Sequence, residues 1–182
     1  MMVNHNVYGS FTKDEENTPE YDVVKKPEHY NYSKIQPKDV IRTWGLNFNL
    51  GSAVKYIARA GHKDDIIQDL SKAIQFIQFE LEYYKENVIN NDYEYEHLAI
   101  NDVCERILEY YEYINDKTLE YTSPDVIMEW GLIHKKEPLG CAIDYIHMFH
   151  YIGGCDILLT KAINCIQSYI DIIKKERNES NG

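Results

Sequence analysis

Apolar residues recur with helical spacing along much of the chain, and this spacing predicts an all-α protein. At about 100° per residue, a helix over 49–60 would bury one stripe of apolar side chains, Leu50, Val54 and Ile57. Ser52, Lys55 and Arg59 fall on the opposite face of the same helix. We therefore expect the basic pair to point away from the core.

A second helix follows a short polar connection. Gly61 is predicted to end the first helix, and Asp64 or Asp65 to cap the next one. The apolar stripe of this second helix consists of Ile66, Leu70, Ala73, Ile74, Ile77, Leu81 and Tyr84. The two helices together form a helical hairpin with a polar corner.

Two parts of the chain carry similar patterns, which predicts a duplicated fold. The segment 39–46 recurs as 125–132, at an offset of 86 residues. The hairpin 50–77 recurs as 139–166, at an offset of 89 residues. The sequence therefore predicts two tandem degenerate copies of a helical-hairpin unit, packed as an internal pseudo-dimer.

This duplication divides the chain into a disordered tail over 1–24, a first unit over 25–90, a connecting acidic helix over 91–121 and a second unit over 122–177. The tail is polar and aperiodic, which is typical of a mobile segment. Trp44 and Trp130 occupy equivalent positions of the two units. This equivalence favours core anchors over ligand platforms.

The second unit keeps the apolar stripe but changes five charged positions of the first unit. The alignment pairs five charged residues of the first unit with residues of another type: Lys55 with Asp144, Arg59 with Met148, Lys63 with Ile152, Asp65 with Gly154 and Asp69 with Leu158. We therefore expect the charged set to be unnecessary for holding a unit together. The first unit is then the functional copy.

Lys55 and Arg59 lie one helical turn apart, and Lys63 follows just past the glycine. An ammonium beside a guanidinium is a good arrangement for a phosphate, because arginine can bind it through two hydrogen bonds while lysine adds charge. The alternative is an ordinary solvated helix face. The loss of all three cations in the second unit favours the phosphate interpretation.

Three aspartates stand beside these cations. Asp64, Asp65 and Asp69 could hold Mg²⁺ opposite a polyphosphate, or could cap the helix and pair with Lys72 at i+3. Capping is favoured for Asp64 or Asp65. For Asp69 both interpretations stay open, since a carboxylate in the first turn is stabilised by the helix dipole in either case.

The formal net charge of −11 disfavours non-specific binding to nucleic acid or an anionic membrane, because such binding needs a concentrated basic surface. A small anionic ligand at a local basic patch remains compatible with it. Four cysteines without CxxC pairs are typical of reduced thiols in a cytosolic protein. No apolar stretch approaches the roughly 20 residues of a membrane span. We expect a soluble, cytoplasmic protein.

The first unit also resembles a known family over roughly residues 27–86. The matching positions are Pro27, His29, Tyr30, Gly51, Lys55, Tyr56, Arg59, Gly61, Lys63, Asp69, Leu70, Lys72 and Ala73. Their pattern resembles the phage SaV-like domain of unknown function, and is similar to the C-terminal region of the coliphage nucleotide kinase. Ser52 stands where that family usually has asparagine. The resemblance implies a phage protein in the cytoplasm of an infected cell and, for one branch, deoxynucleoside monophosphate kinase activity without a P-loop.

The leading hypothesis is therefore a phage nucleotide-metabolism protein, most concretely a non-P-loop (deoxy)nucleoside monophosphate kinase. Its predicted catalytic residues are Arg59, Lys63 and Asp69. Its predicted nucleotide-binding residues are His29, Tyr30, Ser52, Lys55, Tyr56 and Lys72. No metal ligand is assigned, and Mg²⁺ accompanying a triphosphate donor is left open.

Two other hypotheses stay open. The protein could bind and sequester a host nucleotide without turning it over, as an anti-defence protein would. It could instead dock on a host factor through its acidic, tyrosine-rich middle helix. Homo-oligomerisation is compatible with each hypothesis.

Overall fold

A computed structural model describes residues 33–89, 100–116, 118–180 and 182. All regular structure within these ranges is helical: α1 (Pro37–Thr43), α2 (Phe48–Arg59), α3 (Ile66–Ile89), α4 (Ile100–Ile114), α5 (Ser123–Glu129), α6 (Glu137–Tyr151) and α7 (Asp156–Ser180). Directly before α6, residues His134–Lys136 form a 3-10 turn. The expected all-α class is confirmed. The predicted tail, His29 and Tyr30 lie outside the described residues.

Capping hydrogen bonds and one glycine define the helix ends in the α2–α3 hairpin. The Asn47 side chain accepts a hydrogen bond from the Leu50 N–H at 3.0 Å and so caps α2. Asp65 Oδ1 accepts from the Ile67 N–H at 2.9 Å and from the following N–H at 3.2 Å, which confirms the predicted cap on α3. Between the helices, Gly61 has a φ of 83°, a left-handed conformation that glycine adopts without steric cost. The predicted end of the first helix at this glycine is confirmed.

The core lies where the two hairpins meet. α2 packs on α3 and α6 packs on α7, while α3 runs along α7 and α2 contacts α6. The central side chains of this core are at most 1% exposed. They fall in pairs 89 residues apart: Leu50 and Leu139, Ile57 and Ile146, Leu70 and Leu159, and Ile77 and Ile166. Each such side chain contributes about 1.5–3 kcal/mol through burial. The predicted apolar stripe therefore forms the centre of the protein.

Two tryptophans bond across the molecule in a reciprocal way. Trp44 Nε1–H donates to the Tyr121 carbonyl at 2.8 Å, and Trp130 Nε1–H donates to the Ile35 carbonyl at 2.7 Å. Both donors and both acceptors are related by the offset of 86 residues found in the sequence. Ile35 lies two residues before α1 and Tyr121 lies two residues before α5, so the two indoles link the segment that begins with α1 to the segment that begins with α5.

Glycines allow α2 and α6 to approach neighbouring segments closely. A Cβ atom on Gly140 would lie 2.5 Å from the Leu132 carbonyl oxygen, and one on Gly51 would lie 2.9 Å from Ile41 Cγ2. Both distances are shorter than ordinary van der Waals contact, so a side chain at either position would push the segments apart.

None of the described helices combines the length and apolar character that crossing a bilayer requires.

Candidate functional site around Tyr56

The predicted outward position of the basic pair is wrong for Arg59. Arg59 is only 8% exposed. Its Nη2 lies 2.6 Å from Asp69 Oδ1 and 2.9 Å from Asp64 Oδ2, and its Nε also donates to Asp69 Oδ1 at 3.2 Å. A helical wheel gives the direction of Cβ only, whereas the long arginine side chain folds back over α3 to reach these carboxylates. Pairing with them offsets the cost of burying the guanidinium.

Asp69 is completely buried, and its Oδ1 is the oxygen that Arg59 contacts. The predicted partner at i+3, Lys72, is farther away, with its Nζ 3.9 Å from the same oxygen. Asp69 Oδ2 has no hydrogen-bond partner among the described residues. Asp69 is therefore a buried anion whose principal counter-ion is Arg59, and its pairing with Lys72 is secondary.

The predicted position on the outer face is also wrong for Ser52, which is only 7% exposed. The helix that carries it contacts α1, α3 and α6, so more than one of its faces is covered. Lys55 is half-buried, and Lys63 is exposed in the connection after Gly61. The structure thus leaves the two lysines, but not Ser52, at the surface.

Three cations surround the ring of Tyr56. The distance to the ring centroid is 4.9 Å from Lys55 Nζ, 4.5 Å from Arg59 Cζ and 5.6 Å from Lys72 Nζ. Each distance lies within the range of a cation–π interaction. The structure therefore brings together five of the predicted site residues, Lys55, Tyr56, Arg59, Asp69 and Lys72, at one place on the α2–α3 hairpin.

An aromatic cluster, defined as Phe48, Tyr56, Phe76 and Phe79, extends this site. Phe76 stacks on Tyr56 at 5.7 Å between centroids, and meets Phe48 and Phe79 edge-on at 5.7 and 6.1 Å. Phe48 is 78% exposed and Phe79 is 45% exposed. Sequence reasoning missed the three phenylalanines. Their aligned residues in the second unit are Glu137, Cys165 and Ser168, and that difference was the available signal.

The residues of the second unit that align with the site around Tyr56 differ from it in type. Lys161 Nζ lies 5.5 Å from the ring centroid of Tyr145, close to the 5.6 Å that separates Lys72 Nζ from the ring centroid of Tyr56. Asp144 stands at the position of Lys55. The positions of Arg59 and Asp69 are occupied by Met148 and Leu158, which are 3% and 5% exposed. An apolar pair thus takes the place of the buried ion pair.

A second polar cluster joins α4, α5 and α6. The Tyr110 hydroxyl donates to Asp144 Oδ1 at 2.8 Å and lies 2.9 Å from Ser123 Oγ and 3.2 Å from His147 Nδ1. The His147 ring stacks on Trp44 with 4.0 Å between centroids. Burial, and to a lesser extent the nearby His150, lowers the pKa of His147 to about 3, while burial raises the pKa of Tyr110. His147 is therefore neutral at pH 7.

A cavity of about 540 Å³ lies between α4, α5, the 3-10 turn and α6. Apolar side chains form most of its wall, and its lining residues are Tyr111, Ile114, Pro124, Ile127, Met128, Leu132, Ile133, His134, Glu137, Gly140, Cys141 and Asp144. His134, at its edge, has a φ of 54°, which is uncommon for a residue with a side chain. Sequence reasoning missed this cavity as well.

Comparison with known proteins adds one finding. Residues 24–78 match the model of DUF3310, a family of proteins of unknown function. The match spans α1, α2 and the first half of α3, and so includes every predicted site residue of the first unit. No curated protein and no solved structure matches the chain. The predicted resemblance to a domain of unknown function is confirmed, and its relation to the coliphage kinase stays a prediction.

Proposed function

We propose that the first unit binds a nucleotide on the outer surface of the α2–α3 hairpin, and that its most concrete activity is that of a phage (deoxy)nucleoside monophosphate kinase without a P-loop. The observation that carries this proposal is the convergence of Lys55, Arg59 and Lys72 around Tyr56, next to exposed phenylalanines. Its place of action would be the cytoplasm of an infected cell.

The two kinds of side chain suit the two parts of a nucleotide. Lys55 forms no ion pair among the described residues, and Lys72 lies 3.9 Å from its nearest carboxylate oxygen, so both ammonium groups can bind a phosphate. The exposed faces of Phe48 and Phe79 can stack on a base. Stacking between a base and an aromatic ring contributes about 1–3 kcal/mol and tolerates any base. The proposed ligand therefore spans from the lysines to the phenylalanines.

If the protein is a kinase, the cations neutralise the negative charge of the phosphoryl group during its transfer. Charge neutralisation and positioning of the reactants are most of what phosphoryl transfer requires. Lys63, exposed in the α2–α3 connection, supplies a further charge. Asp69 holds the guanidinium of Arg59 in place, and is thus a positioning residue in this scheme. Any Mg²⁺ would arrive with the triphosphate donor.

A second candidate is a binder that retains its nucleotide without turnover. The contacts of Arg59 favour it, because two carboxylate oxygens at 2.6 and 2.9 Å already compensate its charge. Less positive charge then remains to stabilise a transition state. A third candidate, docking on a host factor through the acidic α4, is favoured by the 66% exposure of Leu108 on that helix.

We also propose that the two units form an internal pseudo-dimer. The reciprocal tryptophan bonds support this arrangement, as do the core pairs at an offset of 89 residues. The backbone turns that follow the tryptophans also agree, with φ values of 65° at Gly45 and 63° at Gly131. Divergence between the units would then account for the different residues that the second unit carries at the positions of Lys55, Arg59 and the phenylalanines.

The test incubates the pure protein with each nucleoside monophosphate and a triphosphate donor, and measures diphosphate by chromatography. Thermal shift with the same panel measures binding, since a ligand at 100 times its Kd stabilises the folded state by about 2.7 kcal/mol. A shift with intact ligand recovered supports the binder. If no nucleotide produces a thermal shift and none yields a diphosphate, both the kinase and the binder are refuted.

Variants locate the site. We expect Lys55→Ala and Lys72→Ala each to weaken binding about 10- to 100-fold, because hydrogen bonds to charged groups contribute about 1.5–3 kcal/mol. Lys161→Ala is the matched control, since Lys161 contacts Tyr145 as Lys72 contacts Tyr56. An equal loss from Lys72→Ala and Lys161→Ala would contradict a site on the first unit.

A further inference from the structure

The cavity between α4, α5 and α6 has the size of a small-molecule site. Its volume of about 540 Å³ falls within the roughly 300–1,000 Å³ of typical ligand pockets. Ile127, Leu132 and Ile133 contribute apolar wall, and the close approach of Gly140 to the Leu132 carbonyl shapes its inner side. Such a wall suits the apolar body of an organic molecule.

One carboxylate in this cavity is held in place by buried hydroxyl groups. Asp144 Oδ1 accepts hydrogen bonds from the Tyr110 hydroxyl at 2.8 Å and from Ser123 Oγ at 2.6 Å. Both donors belong to residues that are 0% exposed. These bonds fix the orientation of the carboxylate while Oδ2 accepts no hydrogen bond from the described residues. The free oxygen is thus available to a ligand.

The same carboxylate has no cationic partner in the described part of the chain. Glu137, also in the cavity wall, adds a second negative charge. A carboxylate beside apolar wall is costly unless a counter-ion or hydrogen-bond donors compensate it. Asp144 is half-buried, and a bound ammonium would add a counter-ion to the two hydroxyl groups that already bond its carboxylate.

We infer that this cavity binds a small organic cation, an amine carried on an aromatic or branched aliphatic body. The ammonium donates to Asp144 Oδ2, and the body lies against Ile127, Leu132 and Ile133. Asp144 occupies the position aligned with Lys55 of the first unit. This site does not depend on the nucleotide site.

Two exposed cysteines provide the measurement. Cys141 lines the cavity, whereas Cys104 lies on α4 and is not among the lining residues. Alkylation of the full chain by iodoacetamide is followed at each cysteine by peptide mass spectrometry, with benzylamine, benzyl alcohol or benzoate present. At ten times its Kd, a ligand in the cavity slows alkylation of Cys141 about tenfold by mass action. The rate at Cys104 should not change.

The expected result is protection of Cys141 by benzylamine at lower concentrations than by benzyl alcohol, with no protection by benzoate. Asp144→Asn keeps an oxygen for both hydroxyl groups and removes the charge, so it should weaken amine binding about 10- to 100-fold. Asp171→Asn, on the exposed face of α7, is the matched control and should have no effect. Equal protection by the amine and the alcohol would overturn the inference, as would no protection by either.

Discussion

The buried ion pair between Arg59 and Asp69 can be replaced by the residues that the second unit carries at the aligned positions. The substitutions are Arg59→Met, Asp69→Leu and the two combined, because Met148 and Leu158 are buried at those places. The chain itself thus provides an apolar alternative to the ion pair. The design tests whether the charges stabilise the fold or only serve the site.

The two single substitutions should differ in cost. Arg59→Met leaves a carboxylate that is 0% exposed without its principal counter-ion, and breaking a buried pair in this way costs about 3–5 kcal/mol. Asp69→Leu leaves the guanidinium with Asp64 at 2.9 Å, so its cost should be lower, about 1–3 kcal/mol. Replacing both partners by apolar side chains is often neutral or stabilising. We therefore expect the double variant to be about as stable as the wild type.

Urea unfolding followed by far-UV circular dichroism measures these differences, and unchanged m values would show that the compactness of both states is preserved. The coupling energy follows from the double-mutant cycle and should amount to several kcal/mol. Additive losses, with the double variant less stable than either single variant, would refute the reasoning. The folded double variant also tests function: it should lose nucleotide binding if Arg59 belongs to the site.

Two further predictions concern stability. His147 has a pKa of about 3 in the folded protein against an ordinary 6.5, so the unfolded state binds more protons between these values. Stability should therefore fall as the pH drops from about 6.5 towards about 3, by up to about 1.4 kcal/mol per pH unit. Urea titrations across this range should show the slope, and His147→Leu should flatten it. Gly140→Ala should destabilise the protein despite the roughly 1 kcal/mol that alanine gains within a helix, because its Cβ would lie 2.5 Å from a backbone oxygen. Gly51→Ala, which meets the side chain of Ile41 at 2.9 Å and no backbone atom as close, should cost less in the same melts; the reverse order would contradict the steric argument.

Local chemistry explains what could be predicted from the sequence. The helix bounds around Asp65 and Gly61 depend on a capping carboxylate and a left-handed glycine, which act within a few residues. The apolar stripe of α2 follows from the helical period alone. Both kinds of feature therefore appear in the sequence and again in the structure.

What could not be predicted depends on packing between distant segments. Ser52 is buried because its helix has neighbours on several sides, which periodicity does not reveal. Arg59 is buried because a long side chain can turn towards a carboxylate ten residues away in the chain. The contact of Tyr110 with His147 joins residues separated by 37 positions. The cavity beside them exists only once three helices are in place.

The reciprocal bonds of Trp44 and Trp130 also determine what an optical experiment on this protein reports. These are the chain's two tryptophans, each is 5% exposed, and each indole donates to a carbonyl just before the first helix of the other unit. Intrinsic fluorescence therefore reports the contact between the α1–α3 and α5–α7 segments, whereas far-UV circular dichroism reports the helices within them. Coincident transitions would mean that the two segments separate and unfold together. A red shift of the emission that precedes the loss of ellipticity would reveal helical segments that have already come apart.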